Sequence, residues 1–375
     1  MIYLDNAATT YPKPETVYRR LDDANRNYAF NSGRGSYNVA QQVAKLIADT
    51  RNDVAEIISE TGDTVSFLSS ATEAMNIIIN GLDLKQGDYV YISPFEHNAI
   101  IRPLFNLKDT KGIHVEIISF DNTSWELDSI KLADSFALKK PKAVFVSHIS
   151  NVTGYLVPYE EIFKQAKVYN AVTVLDCAQS YGIVKPNTKD TDFVVFAGHK
   201  SLYASFGIAG FVNVSDKRLD ISKSGGTGYD SLNHKMPETG YGRYESGSLN
   251  SVAIAGLKES IKWLKGTDIC KHEFELTQYI IHNLNEIRKV TMYLPSNHER
   301  ILGVVSFNIN GYSASDVGSI LAEEFEICVR TGFHCSPFVH SFIGSMDYNG
   351  TIRVSVGAFT SIKDIDALID ALKTF

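Results

Sequence analysis

Residues 192–201 read Asp192-Phe-Val-Val-Phe-Ala-Gly-His199-Lys200-Ser201. The apolar run 193–196 has no polar alternation, the pattern of a strand buried on both faces, and such strands belong to parallel sheets covered by helices. It runs straight into a polar turn that carries a lysine. Burial lowers the pKa of an amine, which suits it to Schiff-base formation with an aldehyde and then to proton abstraction. Taken alone, the segment fits a surface lysine just past a strand equally well.

Working outward, six further apolar runs lie at 64–68, 89–92, 115–118, 143–146, 172–175 and 208–214. Between them come segments with helical spacing. Val39, Val43, Leu46, Ile47, Val54, Ile57 and Ile58 mark a helix over 39–58, and others are predicted at 72–80, 98–107, 127–137 and 159–169. Strand alternating with helix predicts an α/β fold with a mostly parallel sheet of seven strands flanked by helices, with ligands at the strands' carboxyl ends. A Gly- and Ser-rich stretch at 222–250 breaks the pattern. Beyond it, helices at 251–265 and 269–289, a strand at 304–309, a helix at 314–324, strands at 327–330 and 351–356 and a helix at 362–372 predict a smaller α+β domain. The expected division is a segment 1–15 packed with the small domain, a large domain 16–250 and a small domain 251–375.

Composition narrows the function classes. With 44% hydrophobic residues, 21% charged, 26 Gly and 10 Pro in 375 residues, the chain is an ordinary globular protein and not disordered, collagenous or coiled-coil. Lys and Arg total 36 against 43 Asp and Glu, with no basic cluster, so neither a nucleic-acid surface nor an anionic membrane patch is expected. The opening MIYLDNAATT has no basic n-region or apolar h-region, and no later run reaches the ~18 apolar residues of a membrane span. The expectation is a cytoplasmic enzyme acting on a small molecule. Cys177, Cys270, Cys328 and Cys335 are too scattered for a disulfide framework and form no C-x-x-C pair. No metal site is expected either, since His334, Cys335 and His340 crowd one loop and make a poor tetrahedral set.

A second strand, Ala171-Val-Thr-Val-Leu-Asp176-Cys-Ala-Gln179, ends in a carboxylate. A pyridoxal phosphate site needs a lysine for the aldehyde and an acid to keep the pyridine nitrogen protonated. By itself Asp176 is as readily a cap for the next loop.

Eight segments taken together are similar to the cysteine desulfurases, class V, fold-type I enzymes that depend on pyridoxal 5′-phosphate. They are Tyr3-Leu-Asp-Asn-Ala-Ala-Thr-Thr10, Ser69-Ser-Ala-Thr-Glu-Ala-Met-Asn76, Glu96-His97-Asn98, Ser150-Asn-Val-Thr-Gly154, Asp176-Cys-Ala-Gln179, Gly198-His-Lys200, Arg330-Thr-Gly-Phe-His-Cys335 and Arg353-Val-Ser355. The resemblance runs nearly end to end. It implies that Lys200 is the Schiff-base lysine, Asp176 the partner of the pyridinium and His97 the imidazole stacked on the ring. Gln179 and Asn151 are implied donors to the cofactor's phenolic oxygen or the substrate carboxylate. Ala71 and Thr72, opening a helix after a strand, would cradle the phosphate with His199 as a further donor. Ser248, in Glu245-Ser-Gly-Ser248-Leu-Asn250, occupies the place of a residue that reaches the phosphate of a partner subunit, which implies a homodimer with sites at the interface. Arg353 resembles the arginine that grips the substrate carboxylate bidentately.

Cys335 carries the sulfur chemistry in this reading. Its thiolate would take sulfur from L-cysteine as a persulfide, leave L-alanine and hand the sulfur to an acceptor protein or thiol. Arg330 and His334 are expected to lower the thiol pKa. The pattern departs from the commoner family form at Tyr37 in Gly33-Arg-Gly-Ser-Tyr37, at Ser248-Leu249 and at Phe333. Two other readings stay open: a selenocysteine lyase or other class V aminotransferase or lyase, and a catalytically weak scaffold or sulfur-relay partner.

Overall fold

The apolar runs form strands and the periodic segments form helices in the computed structural model, which describes residues 1–375 except 33–34, 216 and 229–231. The first part of the chain contains β1 (Ile2–Tyr3), α1 (Glu15–Asn27), α2 (Asn38–Ile57), β2 (Val65–Leu68), α3 (Ala71–Gly81), β3 (Tyr89–Ile92), α4 (Asn98–Lys111), β4 (His114–Ile117), α5 (Ser129–Leu138), β5 (Pro141–Ser147), α6 (Tyr159–Lys167), β6 (Val172–Asp176), β7 (Phe193–Ala197) and β8 (Ala209–Asn213). Strands β2 to β8 make one sheet in the order β2-β8-β7-β6-β5-β3-β4, in which only the pairings made by β8 are antiparallel.

Strand β7 explains why the decisive run has no alternation. Phe193 and Val195 pack into the core on one face of the sheet, with Ile78, Val90 and Ile100. Val194 and Phe196 enter the core on the other face, with Val54, Phe163 and Leu257. Each such side chain contributes about 1.5–3 kcal/mol on burial, so a polar substitution on either face is costly. At Gly210 in β8 a Cβ would come within 2.0 Å of Ser66 O, so only glycine lets β2 and β8 pair there.

The second part contains α7 (Ser251–Leu264), α8 (Ile269–Asn285), β9 (Val290–Met292), β10 (Val304–Ile309), α9 (Ala314–Phe325), β11 (Ile327–Cys328), β12 (Arg330–Gly332), α10 (Pro337–Phe342), β13 (Thr351–Ser355) and α11 (Ile362–Leu372). An antiparallel sheet runs β12-β13-β10-β9, and β1 pairs in parallel with β11 as a separate ribbon.

Several expectations are corrected. The single strand expected at 327–330 is two, because β11 pairs with β1 whereas β12 pairs with β13. Helix α8 stops at Asn285 rather than 289, since the chain turns to lay β9 along the edge of β10. Helix α4 runs past Pro103 to Lys111 and stops at Gly112, which takes the left-handed conformation (φ 69°) and returns its N–H to Lys108 O. Helices α1 and α10 were not expected; α1 buries only Val17 and Ala24 and packs on α7.

The first ten residues run across both sheets. Leu4 N donates to Cys328 O at 2.9 Å, Asn6 Nδ2 to Ser355 O at 3.0 Å, and Thr10 N to His199 O at 3.1 Å.

Candidate active site

The carboxyl ends of β5, β6 and β7 open on a cleft of about 260 Å³, closed from the other side by β12, β13 and the turn that carries Cys335. Every site residue expected from the sequence lines it except Ser248.

Asp176 ends β6, in register between Ser147 of β5 and Val195 of β7. It is buried and accepts Ala178 N at 2.9 Å through Oδ1; burial pushes its pKa up, while that hydrogen bond and the Lys200 ammonium pull it down. Lys200 follows β7 by three residues. Burial lowers its amine to about 8, against the pull of Asp176 and with help from the Arg353 and Arg330 charges. A mixture of neutral and charged amine near neutral pH follows, which suits both attack on an aldehyde and proton uptake.

His97 caps α4, its Nδ1 accepting Ala99 N at 3.0 Å, so the ring proton lies on Nε2. Burial, reinforced by the charges of Lys200, Arg330 and Arg353, lowers it to about 3 and keeps the ring neutral. Beneath it Glu96 is fully buried and accepts Ser93 Oγ at 2.5 Å, Ser147 N at 2.8 Å and Ser147 Oγ at 2.7 Å. Burial raises that carboxyl to about 8.

Ala71 and Thr72 open α3, where the first N–H groups lack intrahelical acceptors, and Ser70 Oγ caps the helix by accepting Glu73 N at 3.1 Å. His199 Nδ1 is buried without a partner among the described residues, and its ring stacks on Phe206 at 4.6 Å between centroids. Burial first, then Lys200 and Lys13, lowers His199 to about 3. Gln179 Nε2 donates to Ala7 O at 2.9 Å and so ties the 1–10 segment to the cleft.

These groups fit pyridoxal 5′-phosphate. An amine and a carboxylate stand at adjacent strand ends, a flat neutral imidazole lines the same cleft, and a helix N-terminus with an orphaned imidazole nitrogen matches a phosphate. Among the described residues, no group of three or more His, Cys, Asp or Glu is placed to hold a metal ion, and no helix is long and apolar enough to cross a membrane.

Arg353, in β13, is 2% exposed. Its Nη2 pairs with Asp5 Oδ1 at 2.6 Å, Nη1 donates to Asn151 O at 2.9 Å, and Nε is buried without an acceptor among the described residues. Arg330 stands opposite it in register, is exposed at the cleft, and has no ion-pair partner among the described residues.

Of the four free cysteines only Cys335 is exposed, and it lines the cleft. Cys177 is buried, which pushes its thiol far up, and Cys270 and Cys328 are half-buried. His334 does not play the part expected of it. Its Nε2 lies 3.1 Å from Thr351 O and 2.9 Å from Thr351 Oγ1, and burial lowers the ring to about 2. A neutral imidazole adds no positive charge beside the thiol, and Arg330 is left as the cation of that loop.

Ser248 stands outside the cleft. It lines a separate one of about 410 Å³ with Tyr241, Glu245 and Arg51. Arg51 Nη1 and Nη2 reach Glu245 Oε1 and Oε2 at 2.5 and 2.6 Å, a buried pair that fixes the base of this segment. Tyr37 is exposed and precedes α2, while Gly33 and Arg34 of the motif that contains it lie outside the described residues.

Sequence reasoning missed Asp5 and Ser336. Asp5 sits inside a segment that carried the family resemblance, but nothing local shows that it faces Arg353 across 348 positions. Ser336 adjoins Cys335, and adjacency was the only signal it gave.

The chain matches the family model described as aminotransferase class-V over residues 2–368. It is 31% identical to a probable cysteine desulfurase of Pyrococcus abyssi, over 100% of this chain and 94% of the relative. It is 30% identical to a cysteine desulfurase of Pectobacterium carotovorum, over 100% and 92%. Among solved structures, the apo form of a cysteine desulfurase from Thermococcus onnurineus superposes with a TM-score of 0.91 at 29% identity, covering 100% of this chain and 94% of the other.

Proposed function

The chain belongs to the class-V aminotransferase family and, within it, to the cysteine desulfurases, and on that premise we propose that it converts L-cysteine to L-alanine and moves the sulfur onto Cys335. It is a pyridoxal-phosphate-dependent enzyme. The observation that carries this reading is the meeting, in one cleft, of a strand-end amine, a strand-end carboxylate and an exposed free thiol.

Lys200 would anchor the aldehyde of the cofactor, Asp176 would face the ring nitrogen, His97 would cover the ring, and Ala71, Thr72 and His199 would take the phosphate. The bound group supplies an electron sink for the charge left at the substrate's Cα. The remaining work falls to the protein. Arg353, lining the cleft, offers the remaining hydrogens of its terminal nitrogens to the substrate carboxylate. Gln179 and the amide hydrogen that Asn151 does not spend within the protein complete the donors for that carboxylate or for the ring oxygen. Lys200 Nζ, with its pKa near 8, accepts the proton from Cα. The Cys335 thiolate attacks the substrate sulfur; the S–S bond forms as the Cβ–S bond breaks, and Cβ gains a proton. L-cysteine and a thiol thus give L-alanine and a Cys335 persulfide, and the transferred sulfur is oxidised as Cβ is reduced.

The reading includes a large domain 16–250 and a small domain 251–375, with residues 1–15 packed on the latter. It also includes a homodimer, in which Ser248 leaves its own cleft free and serves the phosphate of the other subunit. An acceptor protein or thiol removes the persulfide sulfur, in the reducing cytoplasm that free thiols require.

The test is alanine and persulfide formation from L-cysteine by the yellow holoenzyme and by Cys335→Ala under mild reductant. Loss of both products, on the order of 10³-fold, in a variant that stays yellow is the expected result. Equal alanine from both proteins sinks the assignment and favours a lyase that needs no thiol.

A further inference from the structure

Cys335 sits in the turn between β12 and α10. Ser336 N donates to Phe333 O at 3.0 Å, and the two residues between, His334 and Cys335, both have positive φ, 47° and 60°. Left-handed backbone at both central positions is the form that Asn and Gly fill readily and that bulkier L-residues resist, so the surroundings must hold it.

His334 Nε2 meets Thr351 of β13, and one side chain from the other side of the cleft grips the turn on both flanks of the thiol. Asn151, from the loop after β5, donates Nδ2 to His334 O at 2.8 Å and accepts Ser336 Oγ on Oδ1 at 2.7 Å, gripping the residues on either side of Cys335. Cys335 O itself accepts Asn98 N at 2.7 Å, at the start of α4. Asn151 is 7% exposed and Ser336 0%, so water does not compete for these bonds. The main-chain oxygen of Asn151 also accepts Arg353 Nη1 at 2.9 Å. One residue therefore touches both the turn that carries the thiol and the guanidinium read as the carboxylate anchor.

We propose that Asn151 and Ser336 form a clamp that positions Cys335 Sγ against the substrate sulfur, registering the nucleophile to Arg353. The proposal rests on the reading of Cys335 as the sulfur nucleophile. Asn151 and Ser336 act through the placement of Cys335, so they are positioning residues for it. Misplacement by about 1 Å is enough to cost about 10²-fold in a bimolecular attack made unimolecular by the protein.

The experiment uses holoenzyme of wild type, Ser336→Ala, Ser336→Thr and Cys335→Ala. In Ser336→Ala, kcat for alanine formation is expected to fall about tenfold or more with KM for L-cysteine within about twofold. Alkylation of Cys335 by iodoacetamide, followed on its own peptide by mass spectrometry, stays within about threefold, as does cofactor absorbance, because the thiol is misplaced rather than altered. Ser336→Thr keeps the hydroxyl and restores kcat to within about threefold. A Ser336→Ala enzyme with wild-type kcat overturns the clamp, and so does a fall that Ser336→Thr shares or that comes with a changed alkylation rate. If Ser336→Ala does not accumulate folded, Ser336→Gly is read by the same criteria; it too removes the hydroxyl that Asn151 Oδ1 accepts. Wild-type alanine formation by Cys335→Ala would defeat the parent reading, whereas a dead Cys335→Ala beside an intact Ser336→Ala defeats the clamp alone.

Discussion

Two halves of the cleft are built by different physics. On the sheet side, Asp176 and Lys200 stand at or just past the ends of strands buried along nearly their whole length, so their positions follow from the register of β5, β6 and β7. On the other side, Cys335 hangs on a left-handed turn fixed by a handful of hydrogen bonds. The groups read as serving proton and electron chemistry are thus placed by a core worth many kcal/mol, and the one read as carrying sulfur by contacts worth about 1 kcal/mol each. The first half is rigid and its charges are shifted by burial. The second is exposed and open to another molecule.

The sharpest way to break this comparison is to remove the sheet-side amine. Lys200→Ala is expected to cut alanine formation by about 10⁴-fold or more while leaving the alkylation rate of Cys335 unchanged. A large change in thiol reactivity would show that the halves are not independent. A smaller effect concerns the tie between them. Asp5→Asn leaves the Arg353 guanidinium buried without its carboxylate and is expected to destabilise by about 2–4 kcal/mol, read from urea unfolding. Unchanged stability would mean that Asp5 merely grazes the site. The smallest effect sharpens the contrast in burial. The folded amine of Lys200 titrates near 8, below the ordinary lysine value, so it is neutral above that pH and charged below it. Recapture of pyridoxal phosphate by apoprotein should therefore rise about tenfold per pH unit below 8 and level off above it. A plateau reached only above about pH 10 would show that burial does not act on this amine.

The same contrast decides what could be read from the sequence. Strands buried on both faces announce themselves as apolar runs, so β6 and β7 were legible to within a residue, and with them the polar residues at their ends. Helix α1 was not, although Val17, Leu21 and Ala24 stand at helical spacing, because the rest of ETVYRRLDDANRN is so polar that it reads as a loop. Strands β1 and β11 are two residues long and make sense only as a pair, and so the break at Val329 left no local mark. Charge states were the least legible part. His334 beside Cys335 suggests a cation, and only its burial against Thr351 shows that it is neutral. The pairing of Asp5 with Arg353 belongs to the same class, since it is a fact of topology and not of either residue's neighbours.

The ribbon of β1 with β11 has a consequence for the order in which the molecule is made. Residues 2–7 are translated more than 300 residues before Cys328, Arg353 and Ser355, whose groups they bind, the Asn6 to Ser355 contact spanning 349 positions. A nascent chain can close the seven-stranded sheet while this segment still waits without a partner, and contacts so distant in sequence are slow to form. The guanidinium read as the carboxylate anchor meets its counter-ion only when the last strand arrives, so a polypeptide halted on the ribosome short of β13 leaves Asp5 without its partner.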